Sequence, residues 1–212
     1  MLAIGLAFAI RMATTIARAE ALHELLINEV NHRVKNTLAT VQSLSSQTFR
    51  SSADASARDK FDGRLGSLGR TYDVLSAKKW EGADIKEVID ATLEPFASAD
   101  PDRIRVSGPP VQMSARSVVM LSMVLHELAT NASKYGALSR PNGRVTVDWL
   151  TKPLDRVELY WRESGGPSVE KPQRSGFGST LIEKVFPVQI GGSALLQFDA
   201  NGLRCTLEFP PR

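Results

Sequence analysis

The first candidate for chemistry is a histidine, His32, in the polar segment NHRVKN at residues 31–36. The segment falls in a stretch without Pro or Gly, which favours a helix. With about 3.6 residues per turn, His32 lies nearly opposite the apolar stripe of that helix, and Asn36 shares its side. An exposed, neutral imidazole on a rigid helix is suited to accept a phosphoryl group. A solvated polar face without chemistry is the alternative interpretation.

A second candidate is the segment LHELATNASKYG at residues 125–136. Glu127, Asn131 and Lys134 fall within roughly 60° of one another on a helix. These groups suit Mg²⁺ and a triphosphate, because Mg²⁺ takes few protein oxygens and keeps water and phosphate ligands. An ordinary amphipathic helix would present a similar polar face. His126 beside Glu127 suggests a zinc helix, but the two-histidine spacing of such helices is absent from the segment, so we exclude zinc.

Glycines mark a third candidate. WRESGGP at residues 161–167 ends a predicted strand, and SGFGSTL at residues 175–181 opens a predicted helix. Glycine lets the backbone approach a ligand closely, and a helix N-terminus binds phosphate through its free N–H groups. A tight strand-to-helix turn would account for the same glycines. The segments match neither a P-loop nor a dinucleotide-binding fingerprint.

Two long helices are predicted before Trp80, over about residues 14–48 and from about Ala57 to Lys79. Their apolar stripes consist of Leu22, Leu26, Val30, Val34, Leu38 and Val41 in the first helix and of Phe61, Leu65, Leu68, Tyr72 and Leu75 in the second. The short polar break SSAD at residues 51–54 predicts an antiparallel hairpin. Such a hairpin cannot bury both stripes alone, which favours a homodimer that forms a four-helix bundle.

Short strands and helices alternate after Trp80. The predicted helices are Ile85–Phe96, Ala115–Ser133 with Ser114 as its cap, and Ser179–Phe186. The predicted strands are Arg103–Val106, Arg144–Trp149, Arg156–Trp161, Ala194–Phe198 and Leu203–Phe209, the last two joined at Asn201-Gly202. We therefore predict an α+β fold, with a helical hairpin over residues 1–82 and an α/β sandwich with a mixed sheet over residues 83–212.

Composition excludes some classes of protein. The 212 residues carry a net charge of +3 with no Lys/Arg run interleaved with aromatics, which argues against nucleic-acid binding. A single cysteine, Cys205, excludes an intrachain disulfide and fits a packed strand position in a reducing cytoplasm. The apolar run Met1–Ile10 has about half of the roughly 20 residues that span a bilayer. It could be the stub of a transmembrane helix, a signal-like segment or the start of a coiled coil; we favour a continuing helix.

Together the three segments resemble the HWE family of histidine kinases. The family is named after a histidine in its N-box, here His126, and a Trp-x-Glu pair in its first glycine box, here Trp161 and Glu163. The resemblance runs from about Glu29 to Pro210. It implies an H-box hairpin joined to an ATP-binding domain of the gyrase/Hsp90-like ATPase superfamily, with ATP and Mg²⁺ as cofactors.

The resemblance also implies roles for individual residues. His32 would be the phosphoacceptor and Asn131 the Mg²⁺ ligand. Glu127 would act as base or orienter near His32, and Lys134 would face the phosphates. Glu163 would accept a hydrogen bond from the adenine amino group.

The glycine boxes and the last strand complete the implied site. Gly165, Gly166, Gly176 and Gly178 would shape the lid around the triphosphate, and Thr206 would approach adenine. His126 has no role that the residues explain, and a structural and a catalytic role stay open.

The function implied is autophosphorylation of His32 and transfer of the phosphoryl group to an aspartate of a response-regulator receiver domain, in a cytoplasmic homodimer. Membrane contact would need a missing or truncated N-terminal segment. One alternative is a non-catalytic phosphotransfer protein or scaffold with a degenerate nucleotide site, which the intact His32, Glu127 and Asn131 disfavour. Another is a serine kinase that acts on an anti-sigma antagonist, which the predicted hairpin disfavours.

Overall fold

Helix α1 (Ala55–Ala77) packs along a second long helix, α3 (Ala115–Lys134). Leu75 of α1 is fully buried, and Thr71 donates a hydrogen bond of 2.8 Å to Ser122 of α3. Between these helices in sequence lie strand β1 (Ala83–Asp84) and helix α2 (Ile85–Leu93), which a 3-10 turn extends to Phe96. The helices predicted from about Ala57, from Ile85 and from Ala115 are confirmed, with ends that differ by one to three residues.

This computed structural model describes residues 11–18, 22, 29, 34, 37, 41, 55–97, 100–169 and 176–212. The chain divides into two compact units, residues 1–52 and 53–212. In the first unit the described residues are helical. His32, the polar break at 51–54 and most of the first predicted stripe lie outside the described residues. The hairpin, its dimer and the domain boundary between residues 82 and 83 therefore stay predictions.

A five-stranded sheet forms the other layer of the second unit. Its strands are β2 (Ile104–Ser107), β4 (Arg144–Lys152), β5 (Arg156–Ser164), β6 (Ser193–Asp199) and β7 (Gly202–Phe209). Their order in the sheet is β2-β4-β5-β7-β6. The pair β2–β4 is parallel and the other pairs are antiparallel, so the sheet is mixed, as predicted. The two-residue strand β3 (Gln112–Met113) pairs with β1 outside this sheet. The α+β class is confirmed.

The core lies between the helices and one face of the sheet. On β5, Val157, Leu159 and Trp161 are buried, and Cys205 and Leu207 of β7 share that face. Strand side chains alternate between the two faces of a sheet, so the residues between them point away from the helices.

Local sequence accounts for several element ends. Ser114 caps α3 by accepting a hydrogen bond of 3.3 Å from the Ser117 N–H. Gly202 has φ 137°, which turns the β6–β7 hairpin at the predicted position. Among the described helices, none combines the length and the hydropathy needed to cross a bilayer.

After β5 the chain enters a short helix, α4 (Phe177–Thr180), which continues through a π-helical turn (Leu181–Val185) into α5 (Phe186–Ile190). The helix predicted from Ser179 to Phe186 therefore begins earlier and ends later. Pro187 stands near the start of α5, and Gly191 ends that helix in the left-handed conformation.

Candidate functional site

A cavity of about 720 Å³ opens between α3, the end of β5, the start of α4 and the β6–β7 hairpin. Its lining includes Asn131 and Lys134 of α3, Glu163 of β5, Gly178 of α4 and Leu203 of β7. Ligand cavities of this size are usual for small molecules and cofactors. The predicted polar helix face, Glu163 of the Trp-x-Glu pair and the second glycine segment, residues 175–181, thus meet at one cavity.

Helix α3 fixes one wall of this cavity. Its buried side holds Leu121, Leu125 and Leu128 in the core, each with no exposed surface. Glu127 and Asn131 are four residues apart, so they lie on one side of α3, and both line the cavity. Glu127 is 6% exposed, Asn131 is half-buried and Lys134 is exposed in the last turn. A carboxylate, an amide and an ammonium group therefore share the helix face that the sequence predicted.

Glu127 is held by an arginine of another helix. The Arg64 Nε donates to Glu127 Oε1 at 2.5 Å, and Arg64 Nη2 donates to Oε2 at 3.0 Å. Both residues line the cavity. Sequence reasoning missed Arg64, because the two residues are 63 positions apart and α1 showed only its apolar stripe.

Glu163 is a buried carboxylate at the end of β5, with 6% of its surface exposed. Its Oε2 accepts a hydrogen bond of 2.8 Å from the Ala137 N–H, and its Oε1 accepts one of 3.2 Å from the Trp161 indole Nε1. Burial raises the pKa of the Glu163 carboxyl above its usual value, and these two hydrogen bonds offset part of that shift. A carboxylate accepts about four hydrogen bonds, so capacity remains for a ligand in the cavity.

The second glycine segment approaches the Glu127 carboxylate. A Cβ on Gly178 would lie 2.8 Å from Glu127 Oε2, which is closer than a side chain tolerates. Gly178 therefore lets the start of α4 come against α3. Gly176 also lines the cavity, but a Cβ there would meet no atom within 4 Å among the described residues.

Three predicted residues lie elsewhere. Among the described residues, the cavity lining does not include Gly165, Gly166 or Thr206. Gly165 has φ 70°, and a Cβ there would lie 2.6 Å from the Asn142 carbonyl oxygen, so it shapes the turn after β5. A Cβ on Gly166 would likewise crowd the Ala137 backbone.

Thr206 lies on the face of the sheet that points away from the helices. It pairs with Tyr160 of β5, whereas its neighbours Cys205 and Leu207 are buried on the helix side. Leu203, which lines the cavity, is two residues from Cys205 and therefore lies on the same face of β7. The structure therefore does not bring Thr206 to the cavity, and we do not assign it to adenine.

His126 is buried beside the cavity, with 6% of its surface exposed. Its ring meets Phe96 edge-on, with 5.6 Å between centroids, and its Nδ1 has no hydrogen-bond partner among the described residues. Burial lowers the pKa of His126, the Glu127 carboxylate raises it in part, and the Arg70 guanidinium lowers it further. The imidazole is accordingly neutral near pH 7.

The fold is the one found in histidine kinase domains of solved structures. The histidine kinase domain of the blue-light activated histidine kinase EL346 from Erythrobacter litoralis superposes with a TM-score of 0.58. The match has 17% identity and covers 89% of this chain and 92% of that domain. The longer structure of the same kinase gives a TM-score of 0.63 at 18% identity, over 87% of this chain and 58% of that one.

Sequence comparison narrows the class to a family. The model of the HWE histidine kinase family matches residues 29–110. A blue-light-activated histidine kinase of Brucella anthropi is 41% identical over 190 residues, and one of Brucella ovis is 38% identical over 190 residues. Each match covers 88% of this chain and 39% of the relative, so the chain spans about 39% of the length of these curated relatives. The chain belongs to the HWE family of histidine kinases, as the motifs indicated.

Proposed function

We propose that this chain is the catalytic core of a protein histidine kinase that uses Mg-ATP to phosphorylate His32 and then passes the phosphoryl group to an aspartate of a receiver domain. The observation that supports this most is the composition of one cavity. It combines the buried acceptor carboxylate of Glu163 with the Glu127–Asn131–Lys134 face of α3. A degenerate nucleotide site would not preserve both.

Glu163 would select adenine. Its carboxylate is fixed by Ala137 and Trp161, so its remaining acceptor capacity has a set direction. The exocyclic amine of adenine is a donor, whereas guanine presents a carbonyl oxygen at the matching position. Phe198 and Leu203 supply apolar lining for a flat base.

Asn131 and Lys134 would hold the triphosphate side of the ligand. The Asn131 amide oxygen suits Mg²⁺, which takes few protein oxygens and keeps water and phosphate oxygens as its other ligands. Bound there, Mg²⁺ would neutralise charge that builds up on the phosphate oxygens during transfer. The Lys134 ammonium, exposed at the end of α3, adds a positive charge to the same wall.

Glu127 would orient the imidazole of His32 or take its proton. In the transfer, a neutral His32 nitrogen forms a bond to the γ-phosphorus while the bond from that phosphorus to the leaving oxygen of ADP breaks. In the product the attacking nitrogen is bonded to phosphorus and no longer accepts a hydrogen bond. The proton on the other ring nitrogen passes to a carboxylate or to water. A carboxylate that lines the cavity is the base that the described residues offer.

The remaining assignments follow from the same proposal. Residues 1–82 would form the phosphoacceptor and dimerisation hairpin, and residues 83–212 the ATP-binding domain. The partners would be a second copy of the chain, through a four-helix bundle, and a receiver domain. Because ATP and receiver domains are cytoplasmic, the kinase would act in the cytoplasm.

Incubation with γ-labelled ATP tests the proposal. A phosphoramidate on histidine survives alkali and is lost in acid, whereas phosphoserine behaves in the opposite way. We expect alkali-stable, acid-labile label that needs Mg²⁺. A chain that binds ATP with micromolar or millimolar affinity and takes no label would instead be a phosphotransfer protein or scaffold.

A further inference from the structure

Arg64 joins the helix before the sheet domain to the polar face of α3. Its two donors hold the two oxygens of Glu127 as a fork, at 2.5 Å and 3.0 Å. The Glu127 side chain is 8% exposed and that of Arg64 is 28% exposed, so the pair is shielded from water on the carboxylate side. A forked pair fixes the direction of the carboxylate.

The same guanidinium lies over an aromatic ring. The Arg64 Cζ is 4.0 Å from the centroid of the Phe177 ring, within the range of a cation–π contact. Phe177 is the first residue of α4, and the next residue is Gly178, whose backbone approaches Glu127 Oε2. Arg64 therefore contacts both the carboxylate and the start of α4.

These contacts stand at a wall between two cavities. Arg64, Glu127 and Phe177 line the cavity of about 720 Å³ and also a second one of about 190 Å³. The lining of the second cavity is mostly apolar and includes Phe61 and Leu65 of α1 and Met123 of α3. A buried ion pair contributes little net stability when apolar residues could replace it, so stability alone does not explain a charged pair at this place.

We propose that Arg64 is a positioning residue for phosphoryl transfer. Its fork sets the orientation of Glu127, and its contact with Phe177 sets the start of α4, so that α1 holds the carboxylate and the glycine segment in place together. This inference rests on the proposed kinase function and adds to it a residue of the helical region. Since Arg64 acts through Glu127, its loss affects the rate of transfer more than the affinity for ATP.

Three variants of the full chain test this role. Arg64→Ala removes the fork and the contact with Phe177, and Arg64→Lys keeps the charge but cannot form the fork. Arg58→Ala is the matched control, because Arg58 lies on the same helix and pairs with Asp62 within it at 3.5 Å. We expect kcat for self-labelling to fall about tenfold or more in both Arg64 variants, with KM for ATP changed by less than about threefold. Arg58→Ala should match the wild type in both constants.

Chemical rescue separates positioning from folding. Added guanidinium at millimolar concentration should restore a measurable part of kcat to Arg64→Ala, whereas ammonium should not, because only guanidinium reproduces the fork. If Arg64→Ala does not fold, Arg64→Lys tests the role of the fork through its effects on kcat and on KM for ATP. Equal kcat in Arg64→Lys and Arg58→Ala, or a loss that appears in KM alone, would overturn the role of Arg64. Absence of label in the wild type would instead overturn the proposed function, so the two failures are distinguishable.

Discussion

Trp161 and Glu163 lie two residues apart on β5, and the indole of the first donates a hydrogen bond of 3.2 Å to the carboxylate of the second. Residues at i and i+2 of a strand share one face, so the spacing of the pair is what makes the bond possible. Trp161 has no exposed surface and anchors the carboxylate from the core side. The Trp-x-Glu pair that gives the family part of its name is therefore one hydrogen-bonded unit.

Trp161→Phe should weaken ATP binding by removing one donor from the Glu163 carboxylate. We expect a loss of roughly two- to tenfold in Kd, equivalent to about 0.5–1.5 kcal/mol for one hydrogen bond. Trp149→Phe is the control, because Trp149 is also buried but donates to the Pro109 carbonyl oxygen at 2.7 Å. Calorimetry should show both variants less stable to heat and only the first with weaker ATP binding. Equal ATP affinity in the two would contradict the anchoring role.

Glu163→Ala should weaken ATP binding by about 1–3 kcal/mol, because the adenine amine is buried without its acceptor. Glu163→Gln keeps one acceptor and the shape, so it should weaken binding less. The wild type should also prefer ATP to GTP, and the alanine variant should lose part of that preference. Glu158→Ala, on the same strand but the opposite face, should leave both affinities unchanged. Unchanged ATP affinity in Glu163→Ala would show that adenine is bound by other groups.

The stability of the free protein should depend on pH in opposite senses through two glutamates of β5. Burial raises the pKa of Glu163, so the folded state takes up a proton more readily than the unfolded state. Relative to Glu163→Gln, the wild type should lose stability as pH rises from about 4.5 through the folded pKa. A hydrogen bond from Lys152 lowers the pKa of Glu158, so relative to Glu158→Gln the wild type should lose stability as pH falls through the folded pKa.

Urea unfolding of the wild type and the two glutamine variants between about pH 3 and pH 8 measures these slopes. The difference between the wild type and Glu163→Gln should become more favourable to the wild type toward acid. The difference for Glu158→Gln should change in the other direction. Slopes of the same sign for both residues would contradict the burial of the Glu163 carboxyl.

The sequence predicted most of the elements because local rules decide them. Ser114 predicts the start of α3, because its side chain accepts a hydrogen bond from an N–H three residues later. Gly202 predicts the last hairpin, because glycine readily adopts the positive φ of that turn. The polar face of α3 could likewise be predicted from the sequence, since helical spacing alone places Glu127 beside Asn131. The contact of Arg64 with Glu127 could not be predicted, because the two residues are 63 positions apart and no local pattern specifies how their helices pack.

The misplacement of Thr206 has a different cause. The alternation of Leu203, Cys205 and Leu207 already places Thr206 on the other face of β7, and the structure agrees. The expectation came from the resemblance to the family rather than from the strand pattern. Family roles are safest where the local period supports them, as at Trp161 and Glu163.

Asn131→Ala should abolish self-labelling, because it removes the amide oxygen assigned to Mg²⁺. Asn131→Asp should do the same, since its charge opposes the triphosphate. We expect labelling to fall more than about a hundredfold in both variants, as positioning and charge neutralisation carry most of phosphoryl transfer. Ser133→Ala, on the exposed side of the same helix, should label as the wild type does. A Mg²⁺ titration in which Asn131→Ala reaches wild-type labelling would exclude Asn131 as a ligand.

The site of the label tests the account most directly. The chain has three histidines, of which His23 and His32 precede the sheet domain. After incubation with γ-labelled ATP and Mg²⁺, the wild type and His23→Ala should carry acid-labile label. His32→Ala should bind ATP with wild-type affinity and carry none. Equal acid-labile label in His32→Ala and the wild type would contradict the assignment of His32, and with it the proposed path of the phosphoryl group.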